Sequence, residues 1–301
     1  MHLALLGYPL SHSLSPAMHN AALEHVGLHD WRYEAMSVEP ARLAEAIAII
    51  RSEGYAGANV TVPHKEAVIP LLDGLTPVAE AIGAVNTIVK KARAKHPSTA
   101  LRSAQDASPQ LIGHNTDAAG LLADLYAHDV HISNRPVLIL GAGGAARAAA
   151  AACAGVGAEL RLAARRREQA QSLVSSLQLP VALYDLTIRD LERASHDCAL
   201  IINSTPLGMS PAVNTSPWFE GTPFPPGAFV YDLVYNPADT RLTRLARAAG
   251  LRAATGLGML IEQGALAFEL WTGQTAPRKL MREAAQKKLS AAENTQGTEK
   301  E

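Results

Sequence analysis

The sequence predicts an α/β protein of two domains, the second a doubly wound parallel sheet, and three observations carry that prediction. The chain has 301 residues, which favours about two domains. From Val137 onward, short apolar runs alternate with helix-forming runs, a beat that builds a parallel sheet covered on both faces. At the head of that beat stands Val137-Leu138-Ile139-Leu140-Gly141-Ala142-Gly143-Gly144-Ala145-Ala146-Arg147. The apolar residues read as a buried strand, the glycines as a turn, and the alanine-rich run to Ala154 as a helix. The register G-x-G-x-x-A, from Gly141 through Gly143 to Ala146, is the dinucleotide form of the strand–turn–helix unit. Gly141 permits the tight turn, Gly143 lets a pyrophosphate approach the backbone, and Ala146 lets helix and strand pack closely. The N–H groups at the helix start are free to bind phosphate.

Composition narrows the function. A formal net charge of −1 argues against a nucleic-acid protein, which would carry a basic face. The two cysteines, Cys153 and Cys198, lie in apolar contexts, so a disulfide framework is not expected and a reducing, cytoplasmic compartment fits. The N-terminal Met1–Gly7 stretch is too short and uncharged for a signal peptide. No apolar run approaches the ~20 residues that span a bilayer, so no membrane association is expected. The histidines show no metal-ligand spacing, and no metal is expected.

Leu3 to Leu6 reads as a buried strand. Ser15 before Pro16 reads as the N-cap of a helix that runs to about Val26 and ends at Gly27. Ser13 has no such local role, and two hydroxyls at i and i+2 in a loop after a strand can both face one polar ligand. Trp31–Val38 reads as a strand and Pro40–Ser52 as a helix. In Asn59-Val60-Thr61-Val62-Pro63-His64-Lys65 an alternating strand stops at Pro63, which begins a helix, so Lys65 falls in a first turn. A cation there opposes the helix dipole. Lys65 is then either a solvated surface lysine or a functional cation.

Gly83–Val89 reads as a strand with Asn86 near its start. Lys90–Gln110 reads as a long surface loop, and Leu111–Asp117 returns as a strand paired with Val85–Val89. Asn115, Thr116 or Asp117 caps a helix from about Ala118. Further strands fall at Ala158–Ala163, Val181–Tyr184, Ala199–Asn203 and Phe229–Val234, with a helix at Glu168–Leu177. Loops at the carboxyl ends of such strands face the cofactor, which points to Asn203-Ser204-Thr205-Pro206-Leu207-Gly208-Met209. Tyr235, just past its strand, reads as packing. Gly256-Leu257-Gly258-Met259 opens a helix to Thr272, on which Met259, Gln263, Leu266 and Leu270 share a face. An amide at Gln263 on an apolar face needs a partner, either backbone or ligand. Pro277–Leu289 reads as the last helix, and 290–301 as a frayed tail.

Together these stretches resemble the shikimate dehydrogenase family from Gly7 to about Thr272. The carriers are Gly7-x-Pro9 with His12-Ser13-x-Ser15-Pro16, Asn59 to Lys65, Gly83-Ala84-Val85-Asn86-Thr87 and Asn115-Thr116-Asp117. They continue with the Gly141 loop, Asn203-Ser204-Thr205 with Gly208-Met209, Tyr231 to Pro237, and Gly258-Met259 with Gln263. The resemblance implies a substrate domain of residues 1–116 completed by helices in 257–289, and a Rossmann-type NADP-binding domain of 117–256. It implies reversible reduction of 3-dehydroshikimate to shikimate in aromatic amino-acid biosynthesis. It also implies a catalytic pair, Lys65 and Asp117, which contact the substrate together with Ser13, Ser15, Thr61, Asn86, Tyr235 and Gln263. Cofactor contacts would come from Gly141, Ala142, Gly143, Gly144, Ala145, Thr205, Leu233, Gly256 and Met259.

Cofactor choice can be read from the residues. NAD-binding units place an acidic residue after the second strand. Here the strand ends in Ala164-Arg165-Arg166-Arg167, without a carboxylate. Guanidinium groups suit a phosphate, so NADP(H) is expected, held by Arg165 and Arg166, with Arg167 a solvated helix start. The family commonly has Asn-Arg-Thr here, so Ala164 and Arg166 depart from it. The loop at 90–110 is longer than usual in the family, and His114 receives no function. Two other readings are an NAD-dependent quinate/shikimate dehydrogenase working in catabolism and a non-catalytic ligand sensor. The chain is expected to be a monomer or homodimer.

Overall fold

The computed structural model describes residues 1–10, 13–91, 109–177 and 180–298. His12 and most of the loop at 90–110 lie outside them. In chain order the first part comprises β1 (His2–Gly7), α1 (Ser15–His25), β2 (Arg32–Ser37), α2 (Leu43–Arg51), β3 (Tyr55–Val60), β4 (Gly74–Leu75), α3 (Pro77–Ile82), β5 (Thr87–Lys91), β6 (Gln110–His114) and α4 (Asp117–Ala127). The second comprises β7 (Pro136–Leu140), α5 (Gly144–Gly155), β8 (Glu159–Ala164), α6 (Arg167–Leu177), β9 (Val181–Asp185), α7 (Ile188–Ser195), β10 (Leu200–Asn203), β11 (Phe229–Asp232), α8 (Arg241–Ala248) and β12 (Arg252–Thr255). Two helices follow, α9 (Leu257–Thr272) and α10 (Arg278–Thr298).

The described residues form two six-stranded sheets. The second runs β9-β8-β7-β10-β11-β12, and every pairing in it is parallel. This is the doubly wound order, with its reversal between β7 and β10. Val137 and Ile139 enter one core and Leu138 and Leu140 the other, which is why the strand is apolar without alternation. The first sheet runs β2-β1-β3-β5-β6-β4 and is mixed, with β5 antiparallel to both neighbours. Leu3 and Leu5 face α1, α9 and α10, while Ala4 and Leu6 face α2 and α3. Helix α9 thus closes the first sheet from the far end of the chain. Trp271 of α9 donates to the Ile88 carbonyl of β5 at 2.9 Å.

Close packing of α4 on α9 depends on two glycines. A Cβ on Gly120 would come within 2.7 Å of the Gln263 nitrogen, and one on Gly258 would overlap the Asp124 carboxylate. Several elements differ from the sequence reading. The apolar stripe drawn through Leu270 fails, because Leu270 is exposed whereas Ile261, Ala265 and Phe268 are fully buried. Helix α9 is covered on most sides, so no single stripe defines its buried face. Helix α10 continues to Thr298, nine residues past the expected end at Leu289. The sequence reading passes over α3, α7, α8 and β12; α3 and β12 are only 6 and 4 residues long, whereas α7 and α8 are strongly amphipathic over 8 residues each.

His19 occupies the middle of the first core. It stacks on Tyr33 at 4.3 Å, and neither of its ring nitrogens has a hydrogen-bond partner. Burial lowers its pKa from 6.5 to about 3. Folding therefore favours the neutral ring: the stabilisation is present above pH 6.5 and is lost as pH falls toward 3. His19→Phe keeps the stack and removes the titration. Denaturant titrations should show wild type losing about 2 kcal/mol more than the variant between pH 7 and pH 5. Equal losses would mean that the ring is not buried in its neutral form.

Candidate active site

Strand β3 delivers Thr61 and then Lys65 to the mouth of the first sheet. The expected helix after Pro63 does not form. The chain makes turns instead, because the Lys65 carbonyl accepts from the Val85 N–H at 2.8 Å and is not available to its own segment. His64 is buried with Nε2 2.7 Å from the Val38 carbonyl, which pins the turn. The helix-dipole argument for Lys65 therefore does not hold. Its side chain reaches inward, and Nζ lies 2.5 Å from Asp117 Oδ2, with the two side chains 14% and 5% exposed.

Asp117 is the first residue of α4. Its carboxylate is not the cap, and neither is Thr116. Asn115 Oδ1 accepts from the Asp117 and Ala118 N–H groups at 3.1 and 3.4 Å. That leaves both Asp117 oxygens for other work. One pairs with Lys65, and the other accepts from Asn86 Nδ2 at 2.9 Å. The same Asn86 amide is 2.8 Å from Thr116 Oγ1 and 3.1 Å from Gln263 Oε1. The Asn86 side-chain oxygen accepts from Thr116 N–H at 2.8 Å. Gln263 is buried and donates to the Leu260 carbonyl at 2.8 Å, so it bonds both backbone and site. Asn86 itself sits just before β5, not inside a strand.

The serines are arranged differently from the expectation. Ser15 is the first residue of α1, and its side chain makes no cap. Ser13 plays a local part instead, its hydroxyl accepting from the Ser15 N–H at 3.3 Å. The Ser13 hydroxyl lies near the Tyr235 phenol, and the Ser15 hydroxyl near the buried Tyr33 phenol. Tyr33 donates to Asn59 Oδ1 at 2.7 Å, and Asn59 donates to the Asn86 backbone carbonyl at 3.0 Å. A hydrogen-bonded path thus runs from Tyr33, beside Ser15, through Asn59 and Asn86 to the Lys65–Asp117 pair. Sequence reasoning misses Tyr33 and passes over Asn59. A polar side chain on an otherwise buried strand is the available signal for Asn59. Thr61 packs on Gly7, where any Cβ would overlap its methyl group.

The glycine turn lies beside this cluster, with Gly144 against the Lys65 side chain. Gly141 has φ +115°, and a Cβ there would come within 2.6 Å of Ser204 Oγ and 3.1 Å of the Thr205 methyl. The loops after β7 and β10 therefore meet at the point where strand order reverses. Gly143 faces open space, Ala142 is buried, and Gly144 backs onto the Lys65 side chain. Gly256 packs against the Leu233 carbonyl, and Met259 is buried below them. Arg165 and Arg166 are exposed, and neither guanidinium has a partner among the described residues. Arg167 pairs with Asp185 at 2.8 Å.

Comparison with known proteins is decisive at this point. The chain is 42% identical over 289 residues to a shikimate dehydrogenase (NADP(+)) of Symbiobacterium thermophilum, covering 94% of this chain and 92% of that one. The chain belongs to the shikimate dehydrogenase family. A relative of the same name in Moorella thermoacetica is 43% identical over 298 residues, covering 96% of this chain and 94% of its own. Two family models match: the shikimate dehydrogenase substrate binding domain over residues 5–88 and the shikimate 5'-dehydrogenase C-terminal domain over 256–286. Both segments lie in the half built on the first sheet. The crystal structure of shikimate 5-dehydrogenase from Thermus thermophilus, in complex with NADP(H) and shikimate, superposes with a TM-score of 0.81 at 38% identity. It covers 96% of this chain and 100% of its own. The family's two-domain α/β architecture, with its Rossmann-type second half, is the fold seen here.

Proposed function

We infer that the chain is an NADP-dependent shikimate dehydrogenase that interconverts 3-dehydroshikimate and shikimate in aromatic amino-acid biosynthesis. One observation carries the reading: a shielded Lys65–Asp117 pair, tied by Asn86 to Gln263, stands against Gly144 at the start of the nucleotide-binding helix. In this reading residues 1–116 and the helices within 257–289 hold the substrate, and 117–256 hold the cofactor. The enzyme works in the cytoplasm as a monomer or homodimer.

The residues fit the cofactor. Open space at Gly143 leaves room for a pyrophosphate, and the α5 N–H groups are there to bind it. Thr205, Leu233, Gly256 and Met259 border the same crevice. Arg165 and Arg166 offer guanidinium groups, without partners among the described residues, for a ribose phosphate. Held there, NADPH would supply the hydride that reduces the substrate's carbonyl carbon. The Lys65 ammonium stabilises the charge that builds on the carbonyl oxygen and gives that oxygen its proton. Asp117 accepts from the ammonium at 2.5 Å and orients it. Asn86, Thr61 and Gln263 bind the ring hydroxyls. Ser13, Ser15 and Tyr235 hold the carboxylate.

Initial rates with shikimate or quinate, each with NADP+ or NAD+, test the reading. Turnover of shikimate with NADP+ should dominate. Preference for quinate with NAD+ would favour the catabolic reading, and ligand binding without turnover would favour a sensor. The serine pair gives a second test. Ser13→Ala and Ser15→Ala should each raise KM for shikimate about tenfold, the worth of one hydrogen bond to a charged group, and leave cofactor KM unchanged. Ser13→Ala should also cost about 1 kcal/mol of stability, because it deletes the bond to the Ser15 N–H. An unchanged shikimate KM in both variants would remove the serines from the substrate site.

A further inference from the structure

Arg147 stands one turn into α5 and is almost wholly shielded, at 7% exposure. Its Nη1 donates to Ser176 Oγ on α6 at 2.7 Å. Its Nε lies 3.1 Å from Glu66 Oε2, an ion pair whose alignment falls short of a hydrogen bond. Glu66 directly follows Lys65 in the turn after β3. One turn back along α5, Gly144 touches the Lys65 side chain: a Cβ there would come within 3.2 Å of Lys65 Cβ and 3.5 Å of Cδ. The nucleotide-binding helix therefore grips the Lys65 turn at two points, once by backbone and once by charge. A shielded guanidinium is costly unless paired, and alanine would serve helix α5 better at this position.

We propose that Arg147 and Glu66 are positioning residues that clamp the Lys65 turn to α5 and so set where the ammonium stands relative to the bound cofactor. The inference rests on the dehydrogenase reading and adds to it residues that touch neither ligand. Hydride and proton must reach adjacent atoms of one carbonyl, so the rate depends on both donors being placed together. A displacement of about 1 Å can cost 10²-fold in rate. Binding of either ligand does not pass through the clamp, because the serine pair, Gln263 and the arginine run lie elsewhere.

The test measures kcat and both KM values for wild type, Glu66→Gln, Arg147→Lys and the double variant. Each single change should lower kcat about tenfold, with both KM values held within about twofold. The double variant should be no worse than the weaker single, because both changes break one link. Glu66 is 41% exposed on a turn, so Glu66→Gln carries the test by itself if Arg147→Lys does not fold. Unchanged kcat in Glu66→Gln overturns the proposal, even if its melting temperature falls. A raised KM for NADP+ at unchanged kcat overturns it too, by making Arg147 a group that binds the cofactor's charge. Wild type that fails to turn over shikimate overturns the dehydrogenase reading, and this inference with it.

Discussion

Lys65→Met is expected to lower kcat by about 10²–10⁴-fold, the range for removing a positioned acid, with KM for shikimate little changed. Methionine keeps most of the side-chain length and the packing on Gly144, and it removes the proton donor. Asp117 then loses its counter-charge at 2.5 Å but keeps the Asn86 amide at 2.9 Å. Its carboxylate is 5% exposed, so the variant should also be less stable, by about 3–5 kcal/mol if the lost pair behaves as a buried one. Melting temperature and circular dichroism must therefore accompany the kinetics. A folded variant with near-normal kcat would assign the proton to another group.

Arg165→Ala is expected to raise KM for NADPH about 10–100-fold, the worth of one or two charge-assisted hydrogen bonds, and to leave KM for NADH nearly unchanged. Arg166→Ala should act in the same direction and less strongly. Arg167→Ala should do neither, since that side chain is engaged with Asp185. The structural basis is the end of β8, where Ala164 is followed by Arg165 and Arg166, exposed and without partners among the described residues, with no acidic residue at positions 164–167. Wild-type enzyme that uses NADH as efficiently as NADPH would refute the assignment.

The nucleotide-binding half is the more legible in sequence. Its central strands β7, β10 and β11 are buried on both faces, so each opens as an apolar run, and Gly141 marks a turn that only glycine tolerates. Lys65 stands out in sequence for a reason that fails, an adverse helix dipole. Gln263 is legible as an amide without an obvious partner. Ser15 misleads because Ser-Pro is a common helix start, and sequence does not show that Leu14 already has helical angles. Tyr33, Glu66 and Arg147 stay hidden for one physical reason. Each acts through a partner on another element, and local pattern carries no information about such partners.

Helix α9 also governs the order in which the molecule can assemble. A ribosome releases β1 through β6 long before α9 emerges. Until then Leu3, Leu5 and Tyr33 lack the Phe268 and Trp271 side chains that cover them. The second sheet has no such wait, since its strands run through one unbroken stretch from Pro136 to Thr255. Maturation of the nascent chain therefore begins in its middle, and the earliest-made segment is the last to be sealed, by contacts of high sequence separation that form slowly. A stop codon just before Leu257 would spare the nucleotide-binding sheet and leave the N-terminal half open to chaperones and proteases.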